Sequence, residues 1–164
     1  PQFFDGKRVI PVAWKQWQHS QPIEEIWREW FKHPKTGIGT LGGWNGKHWL
    51  GWVDFDAKDF ESPDACDVAI ADWRDRYPQL LNTPWFRSPG GGYRFLIAFS
   101  SEPENFKANN GFSLSSDGGK SCGELLTKNG GHTLLPPTIG INGKLYEWGY
   151  WCEYPIVEES PEAI

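Results

Sequence analysis

A run of apolar residues that ends in two aspartates is the feature that most constrains the fold of this chain. The stretch WLGWVDFDAK runs from Trp49 to Lys58, and its composition is typical of a strand inside a sheet. Side chains two residues apart on a strand point to the same face, so Asp54 and Asp56 should lie side by side. The negative charges of adjacent carboxylates repel each other, and a cation bound between them offsets this repulsion. Mg²⁺ and Mn²⁺ prefer such hard oxygen ligands. The pattern therefore predicts a metal site, with a solvated strand end as the alternative.

The composition limits the class of protein. A chain of 164 residues, 38% of them hydrophobic, can bury a core, and we expect one compact domain. The net charge of -5 and the pI near 5.4 oppose a simple nucleic-acid-binding module with a broad basic face. The three cysteines are far apart and form no cluster typical of a zinc site or a disulfide framework. No segment has the length of a membrane span or the apolar core of a signal peptide, so we expect a cytoplasmic protein without membrane contact.

The two ends of the sequence suggest a piece of a longer protein. The chain begins with Pro1 and contains no methionine. The acidic stretch VEESPEAI is expected to be a frayed tail or a linker, so that residues 156–164 follow a domain of residues 1–155. Most of the 11 tryptophans are expected to fill the core, while one or two could stack on bases.

Two helices are predicted from the spacing of apolar residues. The first begins at Pro22, and its apolar stripe is expected to cover a sheet. The second begins at Ser62 and Pro63, two residues favoured at helix starts. The stripe of the first helix consists of Ile23, Ile26, Trp27, Trp30 and Phe31, and the predicted buried face of the second consists of Ala65, Val68, Ala69, Trp73 and Tyr77.

Short strands make up most of the remaining chain. Turns rich in glycine, asparagine and serine separate them, and the later half is mostly strand. Besides the aspartate strand HWLGWVDFD, the predicted strands are RVIPVA (residues 8–13), the glycine-rich GIGTLGG (residues 37–43), WFRS, YRFLIAF, GELLT, HTLLP and KLYEW. This order of elements predicts an α+β fold, that is, a mixed α/β domain.

A glycine-rich turn precedes one of these strands. RSPGGGYRFLIAF places three glycines directly before a strand that carries Tyr93 and Arg94. Glycines let backbone N–H groups approach an anion closely, so the stretch could bind phosphate. It is not a Walker loop, because no GK[ST] follows. An ordinary hairpin turn is the alternative.

A third acidic residue occurs in GELLTKNGGHTLLPPT. This stretch looks like a hairpin, with Glu124 on its first strand and His132 on its second. A lone glutamate in such a place is more often a surface residue. His132 could face the same cleft as Glu124 or occupy a plain sheet position.

Together, VDFD, SPGGGYRFLIAF and GELL resemble the primase-polymerase group of the archaeo-eukaryotic primase superfamily. Members show a strand ending in DxD or DxE, then a glycine-rich turn leading to a strand with a nucleotide-binding His, then a third acidic residue. The ending LLPPTIGINGKLYEW and the earlier GIGTLGGWNG also fit, so the resemblance spans roughly Ile10 to Trp148. It implies a two-lobed domain with a mostly antiparallel, RRM-like catalytic sheet and flanking helices.

The resemblance also implies an activity and a set of site residues. Asp54, Asp56 and Glu124 would hold two Mg²⁺ or Mn²⁺ ions for template-directed transfer of nucleotides to a 3′-hydroxyl. The substrates would be nucleoside triphosphates with a single-stranded DNA template and a primer, and a fused or associated helicase would be a partner in prokaryotic, phage or mobile-element replication. The nucleotide would be bound by Arg94, Gly90, Gly91, Gly92 and Ser88. Lys58 is a second candidate for the triphosphate, with a solvated surface lysine as the alternative, and His132 could also reach the nucleotide.

One departure from the family keeps other hypotheses open. The second motif usually ends in His, whereas Arg94 stands there, and the preceding family Ser is replaced by Gly90 or displaced to Ser88. Arginine can bind phosphate, but it cannot act as an acid or base near neutral pH. The chain could therefore be a weakened nucleotide- or nucleic-acid-binding module of the same fold. An unrelated metal-dependent transferase that uses a DxD motif is a third hypothesis.

Overall fold

Eleven strands and two helices form the part of the chain that the structure describes. The computed structural model describes residues 2–4, 9–11, 20, 22–32, 36–78, 82–102, 109–114, 121–127 and 132–152. The helices are α1 (Glu24–Phe31) and α2 (Pro63–Arg76), and a short 3-10 helix spans Ala57–Asp59. The strands are β1 (Gln2–Phe4), β2 (Val9–Pro11), β3 (Ile38–Leu41), β4 (Gly43–Trp44), β5 (Trp49–Phe55), β6 (Trp85–Arg87), β7 (Tyr93–Phe99), β8 (Asn109–Phe112), β9 (Gly123–Leu126), β10 (His132–Leu135) and β11 (Glu147–Tyr150). The α+β class is confirmed, and the division into two lobes stays a prediction.

A seven-stranded antiparallel sheet is the largest unit of the described structure. Its strands are ordered β11-β6-β7-β5-β9-β8, and β4 also pairs with β5. β5, the apolar run that leads to the aspartates, pairs with β7 along its full length. Its other edge pairs with β9 from Trp52 to Asp54. Because both edges are bonded and both faces carry packed side chains, the apolar composition of β5 is explained.

One face of this sheet packs against α2 and holds the larger hydrophobic core. α2 begins at Ser62, whose hydroxyl oxygen accepts a hydrogen bond of 3.0 Å from the Ala65 amide. Pro63 follows in the first turn of the helix, where its missing N–H costs nothing. The core on this face consists of Val53, Phe55, Ala57, Cys66, Ile70, Trp73, Tyr93, Phe95, Ile97, Phe99 and Leu125.

The predicted buried face of α2 is confirmed at Trp73 and Tyr77, which pack in the core, and wrong at Val68. Val68 is 70% exposed, whereas Cys66, Ile70 and Trp73 are buried. Positions i, i+4 and i+7 form an apolar stripe as regular as the predicted one, and both stripes contain Trp73. Cys66 and Ile70 decide between them, because both lie in the core with Trp73, whose ring packs 4.9 Å from the Phe55 ring.

The opposite face of the sheet carries a smaller core. Leu135 belongs to β10, which pairs with β3 in a separate two-stranded sheet, so this small sheet lies over that face. The segment after β10 is fastened by Thr138, whose hydroxyl oxygen accepts a hydrogen bond of 2.8 Å from the Ile38 amide. The cluster consists of Trp52, Phe86 and Leu126, with Leu96, Leu135 and Tyr146 packed against it.

The apolar stripe of α1 does not cover a sheet in the described structure. No residue of α1 is buried, and Ile23, Trp27 and Phe31 are 62%, 40% and 47% exposed. The spacing thus predicted the helix but not what it packs against.

Of the nine tryptophans in the described part, only Trp52 and Trp73 are fully buried, while Trp27, Trp44, Trp148 and Trp151 are exposed. Neither described helix has the length and apolar character needed to span a membrane.

Some predicted segments differ from the structure or extend outside the described residues. Of the predicted strand RVIPVA, Val9–Pro11 forms β2 and the rest lies outside. The strand predicted for KLYEW begins only at Glu147, because Gly140 and Lys144 close a turn with a backbone hydrogen bond of 2.7 Å. The predicted tail of residues 156–164 and its boundary at residue 155 lie outside the described part, so they stay predictions.

Candidate active site

The centre of the candidate site is a row of three side chains on adjacent strands. Asp54 on β5 lies directly opposite Arg94 on β7 and, on its other edge, directly opposite Glu124 on β9. Residues directly opposite on antiparallel strands point to the same face of a sheet. Because Val53 and Phe55 point into the α2 core, all three polar side chains lie on the face that carries the smaller core.

Arg94 is the cation that the two aspartates share. Its Nη2 donates a hydrogen bond of 2.7 Å to Asp54 Oδ2 and lies 3.8 Å from Asp56 Oδ1. The side chains of Arg94 and Asp54 are only 13% and 12% exposed. Asp56 also forms an ion pair with Lys58, whose side chain is 75% exposed, and this partner raises the pKa of Lys58.

The negative charge of Asp54 is disfavoured despite this partner. Burial raises its pKa to about 6, and repulsion from Asp56 and Glu124 adds to the rise, whereas Arg94 opposes it. Its Oδ1 atom is buried and makes no hydrogen bond in the described structure. A buried carboxylate oxygen without a partner is costly, which is what a site for a further ligand would show.

Arg94 is also incompletely satisfied. Its Nε and Nη1 atoms are buried and have no hydrogen-bond partner in the described structure. The guanidinium carbon lies 5.8 Å from the centre of the Tyr146 ring, which is half-buried. Sequence reasoning did not single out Tyr146, although the motif GKLYEW contains it. An arginine with buried, unused donors beside a carboxylate can accept an oxyanion ligand.

The glycine turn is explained largely by its own geometry. Ser88 closes it, because the Ser88 amide donates to the Gly92 carbonyl at 2.9 Å and the Gly92 amide donates to the Ser88 hydroxyl oxygen at 3.0 Å. The Gly91 amide donates to the Ser88 carbonyl at 2.9 Å, and Gly91 has a φ of 91°. A Cβ on Gly92 would lie 2.2 Å from the carbonyl oxygen of Phe55. The amides of Gly91 and Gly92 therefore serve the turn, and Gly90 is the member with free space around its Cα.

A cluster that sequence reasoning missed ties this turn to α2. Arg87 Nη2 donates to Asp67 Oδ1 at 2.7 Å and to the Gly91 carbonyl at 3.1 Å. The Tyr93 hydroxyl donates to the same Asp67 oxygen at 2.9 Å. The only sequence signal was the position of Arg87 directly before the turn. On the other side, the Asn142 amide group donates to the Pro89 carbonyl at 2.9 Å, so the segment before β11 also supports the turn.

The predicted hairpin of GELLT with HTLLP is wrong. β9 pairs with β5 and β8, whereas β10, which begins at His132, pairs with β3. A short connection favours pairing between neighbours, but the apolar residues of β9 complete the large sheet instead. Since His132 does not lie on a strand bonded to that of Glu124, the reason for placing His132 in the site is lost.

The carboxylates do not yet form a metal cage. Within the ranges that the structure describes, no three His, Cys, Asp or Glu side chains lie close enough together to hold a metal ion. Glu124 is exposed, so its side chain can change rotamer at little cost. Asp54 and Asp56 both offer hard oxygen ligands, and Arg94 Nη2 lies 2.7 Å from Asp54 Oδ2 and 3.8 Å from Asp56 Oδ1.

Comparison with known proteins agrees with the motifs. The model of the family described as bifunctional DNA primase/polymerase, N-terminal, matches residues 5–162. No curated protein matches the chain. The match to the family confirms the resemblance that the order of the three motifs predicted.

Proposed function

This chain belongs to the family of bifunctional DNA primase/polymerase N-terminal domains, and we propose that it transfers nucleotides from nucleoside triphosphates to a primer 3′-hydroxyl in a template-directed, two-metal reaction. The observation that carries the proposal is the row of Arg94, Asp54 and Glu124 on three adjacent strands. Acidic and cationic side chains on one sheet face are what a reaction at phosphorus requires, because it depends on positioning and charge neutralisation.

The donor set fits Mg²⁺ or Mn²⁺. Asp54, Asp56 and Glu124 offer carboxylate oxygens, and the buried Oδ1 of Asp54 has no other partner in the described structure. Two such ions would activate the attacking hydroxyl and neutralise the triphosphate. The raised pKa of Asp54 reflects a negative charge that burial disfavours, and a cation bound to it would relieve that cost.

The remaining site residues would bind the nucleotide. Arg94 would direct its buried Nε and Nη1 donors toward triphosphate oxygens, since a guanidinium binds such oxygens as a planar fork. Lys58 is exposed beside Asp56 and would add a second positive charge. Ser88, Gly91 and Gly92 would hold the shape of the turn, while Gly90 would allow close approach of a phosphate.

The template would be single-stranded DNA, held weakly by this domain. The chain has a net charge of -5, whereas tight nucleic-acid binding is usually driven by a broad basic face. Exposed aromatic side chains on and after β11, Tyr150 and Trp151 among them, offer surfaces on which bases can stack. A helicase in the same replication system would supply additional affinity for the template.

A second candidate is a nucleotide-binding module without catalysis. Two observations favour it: Arg94 fills the position between the aspartates, and the three carboxylates do not converge in the described structure. Membership of the primase-polymerase family argues against the third hypothesis, an unrelated transferase.

Primer extension on a single-stranded template with Mg²⁺ or Mn²⁺ tests the proposal. We expect the natural chain to extend the primer. We expect extension to be lost in Asp54→Ala, Asp56→Ala and Glu124→Ala. Asp75→Ala is the matched control, because Asp75 is an exposed carboxylate on α2 and is expected to keep full activity. Circular dichroism checks that each variant is folded. Nucleotide binding without any extension under these conditions would favour the second candidate.

A further inference from the structure

Arg94 and a divalent cation would compete for the same oxygens. Arg94 donates to Asp54 Oδ2 at 2.7 Å and lies 3.8 Å from Asp56 Oδ1, with both members of the closer pair nearly buried. A cation bound by these carboxylates would lie within a few ångströms of the guanidinium charge. At that distance and with so little water, two positive charges repel strongly.

We propose that Arg94 is an internal counter-ion that must leave Asp54 before a divalent ion binds, so that metal and triphosphate bind cooperatively. The inference rests on the proposed function, since it concerns how the same site is loaded. It assigns Arg94 two exclusive partners, the Asp54 carboxylate and a triphosphate oxygen.

The unused hydrogen-bonding atoms of both residues support this exchange. In the described structure Arg94 satisfies Nη2 on Asp54 but leaves Nε and Nη1 buried without acceptors, and Asp54 leaves Oδ1 without a donor. A triphosphate supplies enough oxygens for the unused donors of Arg94. Once Arg94 turns to phosphate, both oxygens of Asp54 become available to a cation. Each ligand thereby removes an obstacle to the other, and the coupling must be reciprocal.

Lys58 does not have the same effect. It also pairs with a site carboxylate, Asp56, but its side chain is 75% exposed and water screens the pair. Displacing Lys58 from Asp56 should therefore change metal affinity little. The coupling is concentrated in the buried Arg94–Asp54 pair.

Metal binding without catalysis gives the first test. The dissociation constant of Mn²⁺ is measured at pH 8 by electron paramagnetic resonance, with and without a non-hydrolysable nucleoside triphosphate. Arg94→Gln should bind Mn²⁺ alone about tenfold more tightly than the natural chain, equivalent to about 1.4 kcal/mol, and should gain less from added nucleotide. Arg76→Gln, which removes a charge from an exposed ion pair on α2, should behave like the natural chain. Equal Mn²⁺ affinity in Arg94→Gln and the natural chain would overturn the proposal.

Anion binding without metal gives the reciprocal test and does not depend on the folding of an Arg94 variant. In the presence of chelator, Asp54→Asn should bind a nucleoside triphosphate about tenfold more tightly than the natural chain, because Arg94 has lost its competing partner. Asp56→Asn makes the same charge change next to a 3.8 Å contact and should show a smaller gain. Asp75→Asn, on α2, should show none. An Asp54→Asn gain no larger than that of Asp56→Asn refutes the exchange. Absence of Mn²⁺ binding to every chain even with nucleotide would instead refute the proposed metal site itself.

Discussion

Arg94 donates a hydrogen bond of 2.7 Å to Asp54 across the β5–β7 strand pair, and both side chains are nearly buried. The pair lies in the centre of the sheet, and Glu124 lies opposite Asp54 on β9, the strand on the other side of β5. Water cannot screen such a pair well, so a change to either residue alters the stability of the other residue's charge. The first two predictions follow from this relationship.

Arg94 variants should affect nucleotide binding more than turnover. A charge-assisted contact to phosphate is made in both the ground state and the transition state, so Arg94→Ala should raise the Michaelis constant for nucleotide more than it lowers kcat. Arg94→Lys should recover part of the loss, since a point charge replaces a fork. Arg94→His should retain activity that varies with pH between about 6 and 7, where an imidazole titrates. Steady-state primer extension measures all three, and an unchanged Michaelis constant in Arg94→Ala would contradict the role in phosphate binding.

The stability of the metal-free protein should depend on the protonation of Asp54. Its folded pKa of about 6 lies above the unfolded value of 3.8, so between these values the folded state binds more protons. Stability from this group is therefore greatest below pH 4, falls as pH rises to 6, and then stays constant. The total loss is on the order of 3 kcal/mol, from about two pKa units at 1.36 kcal/mol each.

Asp54→Asn isolates this contribution, because asparagine resembles the protonated acid at every pH. Urea unfolding in chelator should show the variant gaining stability relative to the natural chain between pH 4 and pH 6. Asp75→Asn serves as the control with an exposed carboxylate. A stability difference between Asp54→Asn and the natural chain that does not change with pH would show that Asp54 titrates normally.

Gly90 and Gly92 of the turn should differ in their tolerance of alanine. Gly92→Ala should cost about 1–3 kcal/mol or more, because its Cβ would lie 2.2 Å from the Phe55 carbonyl oxygen. Gly90→Ala should change stability by less than about 0.5 kcal/mol, since the nearest atom is Ser88 Oγ at 4.0 Å. Denaturant unfolding measures both. If Gly90→Ala keeps its stability but raises the Michaelis constant for nucleotide, a phosphate lies against the turn; equal destabilisation by the two variants would show that the turn geometry is wrong.

Binding to single-stranded DNA should be weak, with a small dependence on salt. Few phosphates can be neutralised by an acidic chain, so the slope of log affinity against log salt should be shallow. Trp151→Ala should weaken binding by about 1 kcal/mol or more, if a base stacks there. Fluorescence anisotropy measures both, and Trp44→Ala is the matched control, because Trp44 is exposed on β4 rather than after β11. Tight binding to duplex DNA that salt does not weaken would contradict this prediction.

The sequence by itself determined the local features of this protein. Alternation along β5 placed Asp54 and Asp56 on one face, and Ser62 with Pro63 marked the start of α2. The order of three motifs identified the family. These features could be predicted because a strand period, a helix cap or a short motif involves residues only a few positions apart.

Only the tertiary structure decided which segments meet. It paired β9 with β5 and β10 with β3, against the predicted hairpin, and it turned Cys66 and Ile70 of α2 toward the core instead of Val68. It also placed Arg94 within hydrogen-bond distance of Asp54, a contact that the sequence did not predict. Several strand pairings satisfy the same local pattern. The pairing that forms depends on which apolar surfaces, distant in sequence, bury each other most completely, and a short stretch of sequence does not contain that information.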